Sequence, residues 1–354
     1  MDGIINVYKE KGFTSHDVVA KLRGILRMKK IGHTGTLDPA AEGVLPVCLG
    51  KGTRLCDMLT DKTKTYRAVL LLGQETDTQD TTGTVLAEYP VEVTEEAVRE
   101  AILSFLGDYM QIPPMYSALK VNGKKLYELA RQGKEVERQP RPVQILDIQI
   151  EQVDLPRVTF SVTCSKGTYI RTLCYDIGRK LGCGGCMESL LRTRVDRFRL
   201  EDSLTLSQIE KLRDEGRVEE YVVPVEGVFL GLPALVTKAG EGDKLVHNGN
   251  PFTAEVAEVE NEAGQKQTKL LSASQNRTAL PKTEAALPEN EVVQNSMAAE
   301  LSGRSENERD LASSIADRFD GVRVYDSEHH FIGIYRYSEE KRRYQPQKIF
   351  LGGN

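Results

Sequence analysis

One carboxylate of this chain stands in a stretch whose residue types would hold it in place. Asp38 precedes Pro39 within residues 32–49, a stretch that contains three glycines and ends in an apolar run. Glycine permits backbone conformations that a Cβ forbids, and Pro39 fixes its own φ and biases Asp38 toward an extended conformation. A carboxylate fixed on a loop is suited to act as a nucleophile or as a base. The alternative interpretation is an ordinary Asp-Pro turn that leads into a strand.

Five further segments carry aromatic, basic and acidic side chains that suit chemistry beside this carboxylate. They are residues 64–68, 72–80, 111–120, 165–173 and 190–198, in that order within the first 200 residues. Their candidate side chains are Tyr66, Asp80, Lys120, Tyr169, Arg171 and Leu190. Together with the stretch around Asp38, these segments resemble the motifs of the TruB family in order and spacing. That family comprises the stand-alone bacterial enzymes that convert a uridine in the TΨC loop of tRNA, at position 55, to pseudouridine.

The resemblance implies a role for each side chain of the site. Asp38 falls on the essential carboxylate of the family. Tyr66 matches the tyrosine that stacks on the uracil and takes part in the final deprotonation, while Tyr169 borders the pocket and Leu190 supplies an apolar wall. His33 matches a histidine that fills the space left when bases flip out of the tRNA loop, so it is expected to be a recognition wedge rather than a proton carrier. Taken singly, Tyr66 and Leu190 would be core residues and His33 a solvated loop residue.

The carboxylate needs a cationic partner. In a pocket dry enough to hold a detached uracil, desolvation would favour its protonated form unless a cation opposes the effect. Arg171 is the candidate, and we expect it to keep Asp38 ionised through a bidentate contact. The alternative for Arg171 is an exposed arginine at the start of a helix. Asp77 and Asp80 are expected to position the chain or the RNA.

The chemistry that the resemblance implies needs no cofactor. It breaks the N1–C1′ glycosidic bond, turns the uracil, joins C5 to C1′ and removes the C5 proton, with no net redox change or hydrolysis. The sequence leaves open whether Asp38 attacks C1′ as a nucleophile or removes a proton from C2′ to give a glycal-like intermediate. Residues 183–186 form a lone CxxC pair, half of a zinc site, so we expect no metal and six reduced thiols.

The charge of the chain is unevenly distributed. The formal net charge is −5, but residues 1–200 carry 29 Lys+Arg against 25 Asp+Glu, whereas residues 201–354 carry 18 against 27. A small basic excess beside the motifs suits a protein that binds one folded RNA, here tRNA, and releases it again. No stretch has the order of a signal peptide, and none approaches the roughly 18 apolar residues of a membrane span. We therefore expect a cytoplasmic protein without membrane contact, acting as a monomer.

The segment 111–141 is too polar to belong to a core. It carries seven basic residues, among them Lys120, against three acidic ones. The TruB family has an RNA-gripping loop at this place, and the basic excess favours phosphate contacts. The alternative is a solvated amphipathic helix around residues 126–130.

Apolar periodicity predicts an alternation of strands and helices in the first domain. Strands are expected at 3–8, 65–72, 84–89, 143–153 and 158–165, and helices after the capping residues Thr14 and Thr94. Because strands outnumber crossover helices, we expect an α+β fold around a mostly antiparallel, twisted sheet. The pseudouridine synthase fold that the resemblance implies has this architecture.

The resemblance divides the chain into a catalytic domain, residues 1–230, and a small RNA-binding module, residues 231–354. Residues 232–252 and 321–337 resemble the two ends of the β-barrel module called PUA. Between them, residues 263–314 contain no aromatic side chain, so there is little apolar surface to offset the entropy of ordering them. We therefore predict a disordered insertion within the module.

Two positions depart from the family pattern. Glu10 stands where proline is common, and Asp196 stands where glycine is common. Aspartate tolerates the left-handed conformation better than most residues, so we expect the turn at Asp196 to be kept.

Three rival functions are compatible with parts of this pattern. A non-catalytic RNA-binding protein would keep the basic segment but would not need Asp38, Tyr66 and Arg171 together. A glycoside or nucleoside hydrolase would need a second, acid-poised carboxylate near the first. A guide-RNA-dependent pseudouridine synthase of the same fold is the closest rival, and it differs in whether tRNA alone suffices as substrate.

Overall fold

The computed structural model describes residues 1–60, 62–121, 123–260, 266–267 and 321–351. They divide into two units with the boundary between Val222 and Val223, a few residues before the predicted boundary at 230. The predicted insertion, 263–314, lies outside the described residues except at Lys266–Gln267, which form a short strand. The backbone groups of these two residues pair with the preceding strand, and the disorder of the insertion stays a prediction.

The first unit combines one large sheet with short helices. Its strands are β1 (Gly3–Lys9), β2 (Ile31–His33), β3 (Glu42–Leu49), β4 (Lys64–Leu72), β5 (Gln74–Thr76), β6 (Val85–Glu88), β7 (Gly107–Gln111), β8 (Lys120–Val121), β9 (Lys124–Lys125), β10 (Arg141–Asp154), β11 (Arg157–Cys164), β12 (Gly185–Val195) and β13 (Phe198–Arg199), followed at the boundary by β14 (Val222–Pro224). Its helices are α1 (Ser15–Leu26), α2 (Cys56–Thr60), α3 (Glu95–Leu103), α4 (Leu126–Ala130), α5 (Ile170–Leu181) and α6 (Leu206–Asp214), with 3₁₀ turns at Gly50–Leu55 and Val218–Tyr221.

The central sheet of this unit runs in the order β1-β3-β12-β4-β11-β10-β7, with β2 beside β3 and β13 beside β12. These pairs are antiparallel except β3 and β12, which run parallel where Gly43 lies opposite Arg192. The predicted α+β class with a mostly antiparallel sheet is therefore confirmed. Two small hairpins, β5–β6 and β8–β9, stand apart from this sheet.

Helix α1 begins where the sequence predicts. Thr14 is its N-cap: its side chain accepts a hydrogen bond from the N–H of Asp17, whose carboxylate accepts one from the N–H of Thr14. The apolar face of the helix buries Val18 and Leu22 in one cluster with β1 and β3. Helix α3 likewise begins after an N-cap, Thr94, as predicted. Both helices therefore begin after the capping residue that the sequence predicts.

A second apolar layer fixes helix α5 against the sheet. Leu173 and Ile177 of α5 belong to one buried cluster with Leu70 of β4 and Phe160 of β11. Burial of each side chain of this size stabilises the fold by roughly 1.5–3 kcal/mol relative to its exposed state. This packing holds the first turn of α5, and with it Arg171, at the sheet.

The second unit is built on a sheet of its own. Its strands are β15 (Ala234–Thr237), β16 (Ala257–Glu260), β17 (Lys266–Gln267), β18 (Val322–Tyr325), β19 (Phe331–Ser338) and β20 (Arg343–Ile349), and its helix α7 is Glu241–His247, with 3₁₀ turns at Glu226–Phe229 and Ala254–Val256. The strand order is β17-β16-β15-β18-β19-β20. Phe252 packs between Tyr335 and Tyr344, with ring centroids 5.2 and 5.1 Å away. A sheet is thus present where a PUA-like module was predicted, and its closure into a barrel stays a prediction.

The two departures from the family pattern are both accommodated. Asp196 adopts the left-handed conformation, with φ of 53°, in the tight turn between β12 and β13, so the expectation for this turn is confirmed. Glu10 follows β1, and its carbonyl accepts a hydrogen bond from Lys9 Nζ at 3.2 Å.

The six cysteines are all described, and none is joined to another by a disulfide bond. Cys186 of the CxxC pair accepts a hydrogen bond from Gln74 Nε2 at 3.4 Å. Among the described residues, no group of three or more His, Cys, Asp or Glu side chains is arranged to hold a metal ion. In the same residues, no helix is long and apolar enough to cross a membrane.

Gly43 is the position where the parallel pairing of β3 and β12 leaves no room for a side chain. Its φ is +105°, and a Cβ there would stand 2.2 Å from the carbonyl oxygen of Arg192. We expect Gly43→Ala to lower the free energy of unfolding by at least about 2 kcal/mol, because both the backbone strain and the overlap with main-chain atoms must be relieved by displacement. Urea unfolding of the purified variant measures this.

Gly24→Ala is the matched control, since Gly24 lies in helix α1 and a Cβ there would meet nothing within 4 Å. Alanine in a helix is favoured over glycine, so this control is expected to be neutral or slightly stabilising. Equal unfolding free energies for the two variants would show that the close approach at Gly43 is relieved without cost.

Candidate active site

The loop that carries Asp38, residues 34–41 between β2 and β3, is held in place by hydrogen bonds. The N–H of Leu37 donates to Ser15 Oγ at 2.9 Å, which ties the loop to the first turn of α1. The N–H of Ala41 donates to the carbonyl of Asp38 at 3.1 Å and closes a turn behind the carboxylate. The loop therefore presents its acid in a defined position, as the glycines and proline of the sequence predict.

A buried lysine supports the same loop. Lys9 at the end of β1 is fully buried, and its Nζ donates to the carbonyls of Ala41 at 2.5 Å and Pro39 at 3.3 Å. The carbonyl of Pro39 also accepts from the N–H of Gly12 at 2.8 Å. Burial lowers the pKa of Lys9 to about 8, against the opposing effect of the Glu42 carboxylate, so the lysine is still largely a cation at neutral pH.

Arg171, in the first turn of α5, reaches the carboxylate of Asp38. Its Nε lies 3.0 Å from Asp38 Oδ2, and its Nη1 lies 3.7 Å from Asp80 Oδ2. The Arg171 side chain is 6% exposed, whereas that of Asp38 is 41% exposed. The alternative of an exposed arginine is therefore wrong, and one buried cation stands behind an accessible carboxylate.

The expected bidentate contact between Arg171 and Asp38 is not formed. The two terminal nitrogens donate to backbone carbonyls instead: Nη1 to Thr78 at 3.0 Å and Nη2 to Tyr116 at 2.7 Å. The Nε is the guanidinium atom nearest to the Asp38 carboxylate. This arrangement fixes the guanidinium plane through the main chain of two other segments, so the direction of Arg171 does not depend on the acid that it contacts.

Asp80 is held within its own turn and shares the cation with Asp38. Its Oδ1 accepts from Thr78 Oγ1 at 2.8 Å and from both the N–H and Oγ1 of Thr82, at 3.0 and 2.5 Å. Its Oδ2 faces Arg171. Both carboxylate oxygens of Asp80 are thus engaged by groups of the protein, which does not suit the available second carboxylate that a hydrolase needs.

Tyr169 precedes α5 and is clamped by one side chain. Its N–H donates to Gln111 Oε1 at 2.8 Å, and Gln111 Nε2 donates to its carbonyl at 3.0 Å. Burial raises the pKa of Tyr169, and the nearby charge of Arg171 opposes this effect, while Asp38 lies close enough for its charge to raise the pKa further. The tyrosine is therefore a neutral hydrogen-bonding group at the edge of the Asp38 and Arg171 pair.

Tyr66 and Leu190 both pack in the apolar cluster of the central sheet. Tyr66 on β4 is 8% exposed and belongs to the same buried cluster as Leu37 and Ala41, which flank Asp38 in the loop. Leu190 on β12 packs against this cluster. Tyr66 is thus a core residue, as its alternative interpretation states, and Leu190 is a partly buried neighbour of the same core, while the charge of Asp38 reaches Tyr66. Burial raises the pKa of Tyr66.

His33 at the end of β2 is an uncharged imidazole at neutral pH. Its Nδ1 accepts a hydrogen bond from the N–H of Gly35 at 3.3 Å, and its ring meets that of His16 edge-on at 5.1 Å. Burial, with the charges of His16 and Arg192, lowers its pKa to about 4. A neutral, partly exposed ring suits the predicted wedge better than a proton carrier.

Lys120 stands apart from these residues. It lies on β8, opposite Lys125 of β9, with its side chain exposed. Helix α4 follows directly and buries Leu126 and Leu129, so the amphipathic helix offered as the alternative for this segment is present. In the part of the chain that the structure describes, Lys120 joins none of the ion pairs around Asp38.

Three residues that hold the site were not singled out from the sequence. They are Lys9, Gln111 and Arg192, which is also fully buried. Gln111 and Arg192 lie within the motif segments and Lys9 adjoins the first predicted strand, but residue type and spacing carry no signal that these polar side chains would be buried. Polar residues are mostly exposed in proteins, so only the packing reveals such positions.

Two family models match adjacent parts of the chain. The model described as "TruB family pseudouridylate synthase (N terminal domain)" matches residues 23–170, and the one described as "tRNA pseudouridylate synthase B C-terminal domain" matches residues 171–229. Asp38 lies within the first match and Arg171 begins the second.

Curated proteins of one name are similar to most of this chain. A tRNA pseudouridine synthase B of Lachnoclostridium phytofermentans is 48% identical over 361 residues, covering 99% of this chain and 100% of the relative. The protein of the same name in Alkaliphilus oremlandii is 50% identical over 250 residues, covering 71% of this chain and 82% of the relative.

Solved structures share the fold at lower identity. The chain matches a protein in the crystal structure of a Cbf5-Nop10-Gar1 complex with a TM-score of 0.60 and 24% identity, covering 99% of this chain and 85% of that one. It matches a chain of an H/ACA RNP bound to a substrate RNA with a TM-score of 0.58 and 21% identity, with the same coverage. At such identities the matches show a common fold only.

Proposed function

The chain belongs to the TruB family of tRNA pseudouridine synthases, an enzyme family that isomerises uridine to pseudouridine in tRNA, and we propose that its target is the uridine at position 55 in the TΨC loop. The observation that carries the assignment of the site is the 3.0 Å contact between Arg171 Nε and Asp38 Oδ2. It joins an accessible carboxylate to a buried, permanently charged cation. We further propose that the protein works as a monomer in the cytoplasm.

Asp38 is the group we propose to act on the sugar. Arg171 stabilises the charged carboxylate, and the loop hydrogen bonds hold it still while one face remains open to substrate. The carboxylate then either bonds to C1′ as the N1–C1′ bond breaks or takes the C2′ proton to give a glycal. In both routes the uracil turns, C5 bonds to C1′ and the C5 proton leaves. No cofactor takes part in either route.

We assign Asp80 to the support of Arg171. Because its Oδ1 is occupied by Thr78 and Thr82, its Oδ2 is the part free to face the guanidinium. Asp80 Oδ2 lies 3.7 Å from Arg171 Nη1, so the guanidinium has an acidic side chain on this side as well as Asp38 at Nε. This assignment keeps the predicted positioning role of Asp80 but directs it to the protein rather than to the RNA.

The remaining predicted residues would recognise the tRNA. A neutral His33 beside the Asp38 loop suits the space left by flipped bases. Lys120 on the exposed hairpin β8–β9 suits a phosphate contact from the basic segment 111–141. Tyr66 and Leu190 would contact the uracil, and Tyr169 would orient the carboxylate or the sugar.

The deciding experiment uses one unmodified tRNA transcript and the purified protein, with no other RNA or protein present. We expect pseudouridine at position 55 alone, mapped by chemical labelling and primer extension. A transcript with cytidine at position 55 is the matched control and should gain no pseudouridine. Product that appears only with an added guide RNA would favour the guide-dependent rival, and release of free uracil would favour a hydrolase.

Tyr66→Phe should slow the chemical step while tRNA affinity holds. The ring that stacks on uracil remains, but the hydroxyl that we place near C5 is lost; Tyr66→Ala should also weaken binding, by about 1–3 kcal/mol, the usual value of one stacked base. Single-turnover rates and filter binding separate the two effects. Tyr221→Phe, at an exposed tyrosine, is the control. A Tyr66→Phe variant as fast as the wild type would mean that the hydroxyl has no chemical part.

A further inference from the structure

Arg192 is a charged side chain that is buried without an acidic partner among the described residues. It lies on β12 and is 1% exposed. None of the ion pairs within the described part of the chain includes it. Removing a guanidinium from water is costly unless hydrogen bonds or a counter-charge offset the loss. Burial accordingly lowers the pKa of Arg192, although an arginine remains protonated.

The contacts of Arg192 all lie in the site. Its Nε donates to the carbonyl of Val44 at 2.7 Å, and its Nη2 donates to the carbonyl of Gly35 at 3.3 Å. The Tyr66 side chain is the titratable group that acts electrostatically on Arg192. Tyr66 and Arg192 lie directly opposite each other across β4 and β12, where cross-strand side chains come closest. Backbone carbonyls do not titrate, so Tyr66 is the neighbour of Arg192 whose charge can change.

Tyr66 is faced by few other charged or titratable groups. They are Cys164 on β11 and Asp38 on its loop. Burial raises the pKa of Cys164 to about 11, so this residue is a neutral thiol at neutral pH. Asp38 brings a negative charge, which disfavours a phenolate. Arg192 is therefore the group that can balance negative charge on the Tyr66 oxygen.

We propose that Arg192 is a positioning residue for the final deprotonation: it holds the Tyr66 hydroxyl oxygen and supplies the positive charge beside the phenolate that removes the C5 proton. This inference rests on the proposed function. The phenol first loses its proton to solvent. The C5–H bond then breaks and its proton passes to the phenolate oxygen. Its electron pair forms the C5=C6 double bond while the C6=N1 π pair moves to N1, which takes a proton from solvent. Burial makes the phenolate costly, and Arg192 opposes that effect.

A double-mutant cycle on a tRNA transcript deuterated at C5 of the target uridine tests this role. Arg192→Met should slow single turnover by about 100-fold, a typical contribution of general acid–base catalysis, and should raise the deuterium isotope effect because C5 deprotonation becomes limiting. In a Tyr66→Phe background the same change should cost less than about threefold, since its partner is already absent. Arg192→Lys, which keeps the charge, should recover part of the rate.

Arg194→Met is the control, because Arg194 lies two residues along the same strand with its side chain exposed. Melting temperature and tRNA affinity show whether each variant is folded. If Arg192→Met does not fold, the cycle is run with Arg192→Lys. An equal loss in the wild-type and Tyr66→Phe backgrounds, or a slower rate with an unchanged isotope effect, would overturn the proposal and leave Arg192 a structural support of Gly35 and Val44. A wild-type protein inactive on tRNA would instead refute the proposed function.

Discussion

Asp38→Asn will abolish pseudouridine formation while tRNA still binds. The amide keeps the size of the side chain and most of its hydrogen bonding, but it is neither a nucleophile toward C1′ nor a base for the C2′ proton, so both open routes require the carboxylate. We expect a loss of more than about 10⁴-fold in the single-turnover rate, the scale seen when a group that acts directly on substrate is removed. Pseudouridine mapping on a fixed amount of transcript measures the rate, and filter binding measures the affinity.

Asp57→Asn is the control for this variant, since Asp57 is an exposed acid on α2. It should retain the wild-type rate. Mass spectrometry must show that the Asp38→Asn protein contains no deamidated asparagine at this position, because a trace of restored aspartate would mimic residual activity. Measurable turnover by a homogeneous Asp38→Asn protein would remove Asp38 from the chemistry.

Arg171→Met should reduce single turnover by about 10² to 10³-fold and lower the melting temperature. The change leaves the carboxylates of Asp38 and Asp80 without their shared cation and frees the carbonyls of Thr78 and Tyr116, which Arg171 now holds. Arg171→Lys should recover stability better than rate, because an ammonium restores the charge but cannot keep the fixed plane of the guanidinium. Thermal unfolding and single-turnover kinetics of both variants measure this difference.

Arg179→Met is the matched control, since Arg179 lies on the same helix and packs on the ring of Tyr175 away from the acid pair. It should leave the rate unchanged. An Arg171→Met protein within about tenfold of the wild type, roughly 1.4 kcal/mol of transition-state stabilisation, would mean that Asp38 keeps its charge and direction without the arginine. An Arg171→Lys protein with full activity would show that charge alone is needed.

Much of the local structure follows from the sequence. The capping box at Thr14 and the cap at Thr94 start their helices where predicted, because the signal lies within a few residues of chain. The turn at Asp196 keeps its left-handed backbone for the same reason. The alternation of apolar and polar residues predicts the strands of the mostly antiparallel sheet, since it marks strands that have one buried face. The candidate residues themselves came from motif order, which the resemblance supplied.

The domain boundary and the individual hydrogen bonds of the site were harder to predict from the sequence. The boundary of the first compact unit lies at 222, whereas the predicted domain ends at 230, next to the end of the second family-model match at 229. The sequence predicted a bidentate grip on Asp38, but could not show that two carbonyls compete for the same guanidinium. The acceptors that lie near the Arg171 guanidinium come from separate segments of the chain. Only the folded structure decides which of them receive its hydrogen bonds.

The residue types of the site, the loop that presents Asp38 and the helix starts beside it are therefore encoded locally in the chain. The burial of Arg171 behind Asp38, the support of the loop by Lys9 and the approach of Arg192 to Tyr66 across two strands are instead products of the folded sheet. These contacts join residues far apart in the chain, and each depends on strand register and on the parallel approach of β3 to β12. Register is set by the packing of the whole sheet, so no short segment encodes it.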